Sequence, residues 1–165
     1  MSGVVYHVLV DDRKVQTTLD RLIAIGQHPW AVMKDIAAYG ENSTKQRFDD
    51  GVGPDGNAWK PSRRVMERGG KTLIDSSRLL DSITSDSGDD FAQWGSNAIY
   101  AAIHQAGGEI SAKNGKSLFF RTPDGSERRV KKVTIPARPY LGVNDDDEAN
   151  IVDIVNQHLQ EAVTN

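Results

Sequence analysis

The sequence predicts an α+β fold: a small antiparallel sheet packed with helices, plus a protruding basic β-hairpin and a C-terminal amphipathic helix. Apolar residues recur at helical spacing near both ends of the chain. Short segments rich in β-branched and aromatic residues lie between them, bounded by Gly, Pro and Asp, which are typical of turns. The 165 residues have the size of one domain, so we assign residues 1–165 to a single domain.

The first third of the chain predicts a strand followed by two helices. Residues 4–10 (VVYHVLV) are β-branched and aromatic, which is typical of a strand. Apolar residues then recur at helical spacing up to Gly26, and they predict a first helix. Pro29 suits the first turn of a second helix, Gly51 favours its end, and Gly40 leaves open whether this helix is continuous.

The middle of the chain predicts short elements joined by turns. In chain order these are a loop over residues 51–70, a short helix over 76–82, strands near 82–86 and 91–95, and a helix over 98–105. The SGDD sequence between the two strands is typical of a turn. Asn97 can cap the last of these helices, and Gly107 can end it.

A basic hairpin is predicted within residues 113–135. SLFFRT and ERRVKKVTI, which flank Pro123-Asp124-Gly125, resemble two strands joined by a turn. Val130 and Val133 are out of phase with strict alternation, which favours a bulge or a twisted edge. Many basic residues are unfavourable in a buried strand, so we expect an edge strand or an arm that meets a partner.

An extended joint and a helix are predicted at the end of the chain. In TIPARPYLGVNDDDE, the prolines favour an extended segment, and Tyr140 and Leu141 are expected to pack as anchors. Asn144 or Asp145 can cap a helix whose first turn carries acids. The apolar stripe of this helix comprises Ile151, Ile154, Val155, Leu159 and Ala162.

Charge is distributed unevenly, although the net charge is only −3. Residues 113–138 carry eight Lys or Arg residues, whereas residues 144–165 carry six acids and neither Lys nor Arg. A chain with a basic and an acidic pole can dock head-to-tail with its own copies. The common alternative is that each charged run is simply a solvated face.

The sequence carries no positive evidence for an enzyme. Residues 51–56 formally match GxGxxG, but they follow a predicted helix and contain Pro54, so we interpret them as a turn. The histidines at 7, 28, 104 and 158 lack metal-ligand spacing, and His104 is expected to hydrogen-bond neighbouring backbone. The acids at 145–148 lack the alternation of an EF-hand, and cysteine is absent. We expect neither cofactor nor metal.

Targeting segments are not predicted either. The first residues lack the basic region and the cleavage site of a signal peptide. No apolar stretch in the sequence is long enough to cross a membrane, and the absence of cysteine is compatible with a reducing compartment. We therefore expect an intracellular domain without a membrane partner.

Four segments in a fixed order resemble a known family. They are RFDDGVGPDGNAWKPSRR at residues 47–64, GKTLIDSSRLLDSI at 70–83, SNAIYAAIHQAGG at 96–108 and TIPARPYLG at 134–142. This order is similar to the phage virion morphogenesis family, the tail-completion proteins of Mu-like and related tailed bacteriophages. The resemblance runs from about Phe48 to the C-terminus. It implies a structural protein without catalytic residues, which caps or completes the tail and forms a ring at the head–tail junction.

The resemblance also implies partners and a location. These are other copies of the chain in a hexameric or dodecameric ring, the tail tube, head-side connector or portal-associated proteins, and DNA in the lumen. The expected location is the virion neck, after assembly in the host cytoplasm. Candidate interface residues are Arg121, Arg128, Arg129, Lys131, Lys132, Arg138, Asp145, Asp146 and Asp147. A loop that could face DNA or a partner carries Lys60, Arg63, Arg64, Arg68 and Lys71.

Two alternatives remain open from the sequence. The first is a nucleic-acid-binding protein that uses the basic loop 60–71 and the basic hairpin 116–132, because Lys and Arg hold phosphates through charge alone. The second is a metal-dependent enzyme that uses the C-terminal acids. Salt-dependent binding to DNA separates the first alternative from a ring protein, and a stoichiometric divalent cation would support the second.

Overall fold

The structure, a computed structural model, describes residues 13–113, 116–122 and 125–164. The helices in these residues are α1 (Arg13–Gln27), α2 (Trp30–Asp50), α3 (Arg63–Arg68), α4 (Arg78–Asp81), α5 (Ala101–Ala106) and α6 (Asp145–Thr164). The strands are β1 (Ile83–Ser87), β2 (Ala92–Ser96), β3 (Gly108–Ser111), β4 (Leu118–Arg121), β5 (Glu127–Val130) and β6 (Lys132–Ile135). The predicted α+β class is confirmed, while the strand predicted over residues 4–10 lies outside the described residues.

The long helix α2 is the centre of the fold, because β1, β2 and α6 all pack against it. Pro29, predicted for the first turn, is instead the residue just before the helix, and Gly51 ends the helix as predicted, in the left-handed conformation with φ of 72°. The Gly51 amide donates to the Arg47 carbonyl at 2.8 Å. The helix continues through Gly40, whose missing side chain leaves room for the ring of Trp94.

β1 and β2 form the predicted hairpin with bounds close to those expected. The strands pair antiparallel from Ile83 opposite Ser96 to Ser87 opposite Ala92. The Gly88 amide donates to the Phe91 carbonyl at 3.0 Å across the SGDD turn. The turn sequence thus defines this hairpin locally, and α2 covers it.

Two details of the middle region differ from the prediction. The segment 51–70 is not all loop, because Ser62 caps the short helix α3 by accepting from the Val65 amide. The helix predicted over 98–105 begins only at Ala101, and no side chain caps it. The Ser96 hydroxyl accepts from the Ala98 amide instead, so a turn precedes the helix and Asn97 does not act as its cap.

The basic hairpin is longer than predicted, and its second arm is divided. β5 pairs with β4 as expected, but β6 pairs with β3, which the sequence did not indicate. Lys131 lies between β5 and β6, and its carbonyl accepts from the Ala112 amide at 2.8 Å. The irregularity predicted from Val130 and Val133 therefore falls at Lys131. The described strands form three two-stranded antiparallel sheets and not one sheet.

The core is small and centred on three aromatic rings. Phe48 lies edge-on to Trp59, with ring centroids 5.5 Å apart, and 5.2 Å from the ring of Tyr140. The Trp59 indole donates to the Pro139 carbonyl at 2.7 Å. Tyr140 is fully buried, as its predicted anchoring role requires, and Leu141 packs against the same cluster.

α6 packs on α2 and α1, but much apolar surface of these helices stays exposed. Ala162 is buried, whereas Leu159 keeps 38% of its surface accessible. On α1, Val15, Leu19 and Ile23 each expose more than half of their surface. In the part of the chain described here, no helix combines the length and apolarity needed to span a membrane.

Candidate interaction surfaces

β4, β5 and the following Lys131-Lys132 form a basic ribbon that stands apart from the core. β4 and β5 pack mainly on each other and not on the helices. Arg128 and Lys131 are exposed, and within the described residues neither side chain has a hydrogen-bonding or ionic partner. A two-stranded ribbon with so little support is marginal by itself and gains stability when it meets a partner surface.

The other basic side chains of the basic ribbon contact acidic or aromatic side chains at its surface. The Arg121 guanidinium lies 3.5 Å from the Glu127 carboxylate across the two strands. The Lys132 ammonium lies 3.0 Å from the Glu109 carboxylate. The Arg129 guanidinium sits 5.9 Å from the centre of the Phe119 ring. These exposed pairs contribute little stability and are easily exchanged for contacts with a partner.

Exposed aromatic rings accompany the charges of the basic ribbon. Phe119 and Phe120 are adjacent in β4, so their side chains point to opposite faces of the ribbon, and they expose 56% and 38% of their surface. Phe119 lies opposite Arg129, and Phe120 lies opposite Arg128. Each face therefore presents an aromatic ring beside a guanidinium, an arrangement suited to a surface with both acidic and apolar groups.

The acids at residues 145–148 form the first turn of α6, as the sequence predicted. Asn144 accepts from the Asp147 amide through its side-chain oxygen at 2.8 Å. In return, the Asp147 carboxylate accepts from the Asn144 amide at 3.0 Å. This reciprocal pair is a capping box, which satisfies two amides that the helix leaves unpaired. Among the described residues, no group of three or more acids and histidines is arranged to hold a metal ion.

Asp147 lies inside the chain, although the sequence proposed it for a subunit interface. Its carboxylate forms a buried ion pair with the Arg47 guanidinium. Tyr39 and Ser43 also donate to it, at 2.9 and 2.6 Å. Burial alone would raise the pKa of Asp147, but the hydrogen bonds from Ser43, the Asn144 amide and Tyr39, together with the Arg47 charge, hold it below the ordinary value. We therefore assign Asp147 a structural role.

Arg47 completes this cluster, and sequence reasoning missed it. One of its terminal nitrogens donates to the carbonyls of Tyr140 and Gly142, at 3.1 and 2.7 Å. The other binds the Asp147 carboxylate. Arg47 was visible only as the first residue of a family-like segment, and nothing near it in sequence indicated an ion pair with a residue 100 positions away.

Asp145 and Asp146 remain on the surface, where a partner can reach them. Glu148, Asp153 and Glu161 are exposed on the same helix, which carries neither Lys nor Arg. We define these five exposed acids as the acidic face of α6. The structure thus separates the six C-terminal acids into one that stabilises the chain and five that face solvent.

Most basic residues of the loop 60–71 are engaged within the chain. Arg64 donates to the carbonyls of Lys71 and Ile74, both at 2.7 Å, and lies 3.3 Å from the Asp75 carboxylate. Arg63 pairs with Glu67, and the Lys71 ammonium lies 2.6 Å from the Asp49 carboxylate. Lys60 and Arg68 are exposed, and within the described residues their side chains have no ionic partner. The loop therefore offers fewer unpaired positive charges to a partner than its sequence indicates.

Arg138, also proposed for an interface, is buried within the chain. Its side-chain Nε donates to the Lys60 carbonyl and its backbone amide to the His104 carbonyl, both at 2.8 Å. Only 6% of its surface is accessible. It lines a pocket together with His104, and no residue of the basic ribbon belongs to that lining.

Comparison with known proteins places these features in a family. The sequence model of the phage virion morphogenesis family matches residues 10–160 of this chain. The Mu-like prophage FluMu G protein 2 of Haemophilus influenzae is 33% identical over 148 residues, which cover 90% of this chain and 91% of that protein. The putative capsid assembly protein G of Escherichia phage Mu is 33% identical over 166 residues, with 95% and 96% covered. No solved structure shows significant similarity to the chain.

Proposed function

The chain belongs to the phage virion morphogenesis family, and from this premise we infer that it is the subunit of a ring that caps or completes the tail at the head–tail junction. The proposal assigns it a structural role in the virion neck and no catalytic role. The name of the phage Mu relative refers to capsid assembly, which is compatible with a place where the tail meets the head.

The observation that supports a ring is the separation of charge within one chain. The basic ribbon projects from the core, and the acidic face of α6 belongs to a different part of the fold. An interface between two unlike surfaces of identical subunits repeats from copy to copy, and it gives a closed ring when the rotation between neighbours closes. We propose that Arg128 and Arg129 of one copy contact Asp145 and Asp146 of the next.

Charge reversal tests this contact. In the Arg128→Glu/Arg129→Glu double variant, we expect the assembly to fall to single chains, because like charges then face each other. The mass of the purified protein, measured by sedimentation alone and with tail tubes, reports the result. Because both arginines are exposed, we expect the free energy of unfolding to change by less than about 1 kcal/mol.

Two further variants make the test specific. Lys60→Glu/Arg68→Glu reverses the charge of two exposed basic side chains outside the basic ribbon. We expect this variant to assemble like the unmodified chain. Adding Asp145→Arg/Asp146→Arg to the ribbon double variant exchanges the two signs, and we expect assembly to return. Normal assembly of the ribbon double variant at physiological salt would contradict the proposed contact.

Nucleic-acid binding is the second candidate function, because exposed phenylalanine rings lie beside guanidinium groups on the basic ribbon. Bases stack on such rings, and Arg and Lys neutralise phosphates. The test is binding of single-stranded and duplex DNA to the full chain. Affinity that falls steeply with salt and is lost in Phe119→Ser/Arg129→Ser would favour this function over a purely protein-binding ribbon.

A further inference from the structure

A pocket of about 390 Å³ lies beside the core, between the segment that leads into α4 and the helix α5. Ser77 and Arg78 line it on one side. Tyr100, His104 and Arg138 line it on the other. None of its lining residues belongs to the basic ribbon, and the pocket combines His104 and Arg138, the histidine and the arginine that the sequence singled out.

Arg138 is a buried cation, and the described part of the chain provides no counterion for it. Its Nε donates to the Lys60 carbonyl, but within the described residues no carboxylate lies within ion-pair distance of the guanidinium. Burial lowers the pKa of Arg138, because removing the charged guanidinium from water costs free energy. Buried charges in proteins are normally paired, so an unpaired one that lines a pocket is suited to an anion from outside the chain.

His104 lines the same pocket and carries a second buried polar group. Its Nδ1 atom is buried, and within the described part of the chain it has no hydrogen-bond partner. Burial, and then the positive charge of Arg138, lowers the pKa of His104. The hydrogen bond to neighbouring backbone expected from the sequence is therefore not made by this nitrogen. A buried polar atom costs free energy unless a partner satisfies it.

Other lining residues add a positive charge and a segment of strained backbone. Arg78 is exposed at the rim, and among the described residues its side chain has no partner. Asp75 is the acid of the lining, and it lies 3.3 Å from Arg64. Leu73 and Ser77, both in the wall, have φ of 63° and 58°, a left-handed conformation that non-glycine residues adopt at a cost of about 1 kcal/mol or more. Such strain is most common where a backbone is shaped for binding.

We propose that this pocket binds a side-chain carboxylate carried by an acidic segment of another protein chain. The carboxylate would lie between Arg78 and Arg138, which supply charged donors from two sides. A carboxylate at the tip of a narrow side chain reaches a guanidinium that is 94% buried, whereas a phosphodiester is flanked by sugars on both sides. The inference does not depend on whether copies of this chain form a ring.

The test uses NMR signals of the His104 ring in the full chain. The probe is a capped Gly-Asp-Gly peptide, and its control is the isosteric Gly-Asn-Gly peptide at the same ionic strength. We expect the Asp peptide to shift the His104 signals saturably and to raise the pKa of His104, because a bound anion favours the imidazolium. The Asn peptide is expected to leave them unchanged.

Substitutions then assign the effect to the pocket. Arg78→Gln removes a charged donor that has no partner in the described chain, so the fold is retained and the dissociation constant of the Asp peptide is expected to rise about tenfold or more. Arg68→Gln removes an equally exposed arginine outside the pocket and is expected to leave binding unchanged. Arg138→Gln is expected to raise the pKa of His104 in the free protein, because the nearby positive charge is lost.

Results of three kinds would overturn the proposal. The first is an absence of saturable shifts with the Asp peptide. The second is an equal response to the Asn peptide, or an equal loss of binding in the Arg78→Gln and Arg68→Gln variants, which would show unspecific charge effects. The third is a shift of the His104 signals by short duplex DNA and not by the Asp peptide, which would assign the pocket to nucleic acid.

Discussion

At the scale of single residues, Arg47 joins three separate parts of the chain. Its guanidinium binds the Asp147 carboxylate at the start of α6 and the carbonyls of Tyr140 and Gly142 in the joint before it. Arg47 itself belongs to the last turns of α2. The extended joint and the final helix are thus attached to the core by a planar group whose several donors match this geometry, which a lysine would not provide.

Replacing Arg47 with Met is expected to lower the free energy of unfolding by about 3–5 kcal/mol, because the Asp147 carboxylate then stays buried without its cation. Denaturant unfolding of the full chain measures the change. The matched control is Lys45→Met, which removes the ion pair with Glu41 on the same helix. That pair is partly exposed, so we expect a loss of less than about 1 kcal/mol. Similar losses in both variants would contradict the structural role of the Arg47–Asp147 pair.

At the scale of elements, α2 and the β1–β2 hairpin depend on a close approach at one glycine. A side chain at Gly40 would have its Cβ 2.5 Å from Cε2 of the Trp94 ring, well inside van der Waals contact. The helix therefore accepts the conformational cost of glycine in its interior so that the β2 strand can pack closely. Gly40, which in the sequence left open whether α2 is continuous, is thus explained by the packing of Trp94 against the helix.

Gly40→Ala is expected to destabilise the chain by about 1–3 kcal/mol, although alanine is the better helix former, because the added methyl overlaps an aromatic ring. Gly26→Ala in α1 is the control, since nothing lies within 4 Å of the added Cβ there. It is expected to leave stability unchanged or to raise it by up to about 1 kcal/mol. Thermal or denaturant unfolding compares the two, and a stabilising Gly40→Ala would show that α2 and β2 pack less closely.

At the scale of the whole molecule, two kinds of exposed surface are available for assembly. One is electrostatic: the basic ribbon and the acidic face of α6. The other is apolar: Val15, Leu19 and Ile23 of α1 are exposed on a helix that packs against α6. These surfaces respond differently to salt, because salt screens charges and does not weaken apolar contacts.

If the basic ribbon and the acidic face form the subunit contact, raising NaCl from about 0.1 to 1 M is expected to dissociate the assembly, since the screening length falls from about 10 to 3 Å. Sedimentation at several salt concentrations measures this. The stability of the single chain should change much less, because the Arg47–Asp147 pair is buried and poorly screened. Assembly that strengthens with salt would instead favour the apolar face of α1.

The elements with local signals were predictable from the sequence. Gly51 ends α2, the SGDD turn joins β1 to β2, and the Asn144 cap begins α6, because each depends on backbone conformations and hydrogen bonds within a few residues. The short helix α3 and the late start of α5 were missed, since helices of six residues have weak periodic signals.

The sequence by itself therefore determined the α+β class, the long helices and the β1–β2 hairpin, the separation of basic and acidic surfaces and the family. Only the tertiary structure decided which charges are free. It buries Asp147 against Arg47, pairs β6 with β3, and leaves Arg138 and His104 beside one pocket. The physical reason is distance along the chain, since partners 100 positions apart meet only when the core packs. Burial then makes a charged side chain depend on a partner, either within the chain or from outside it.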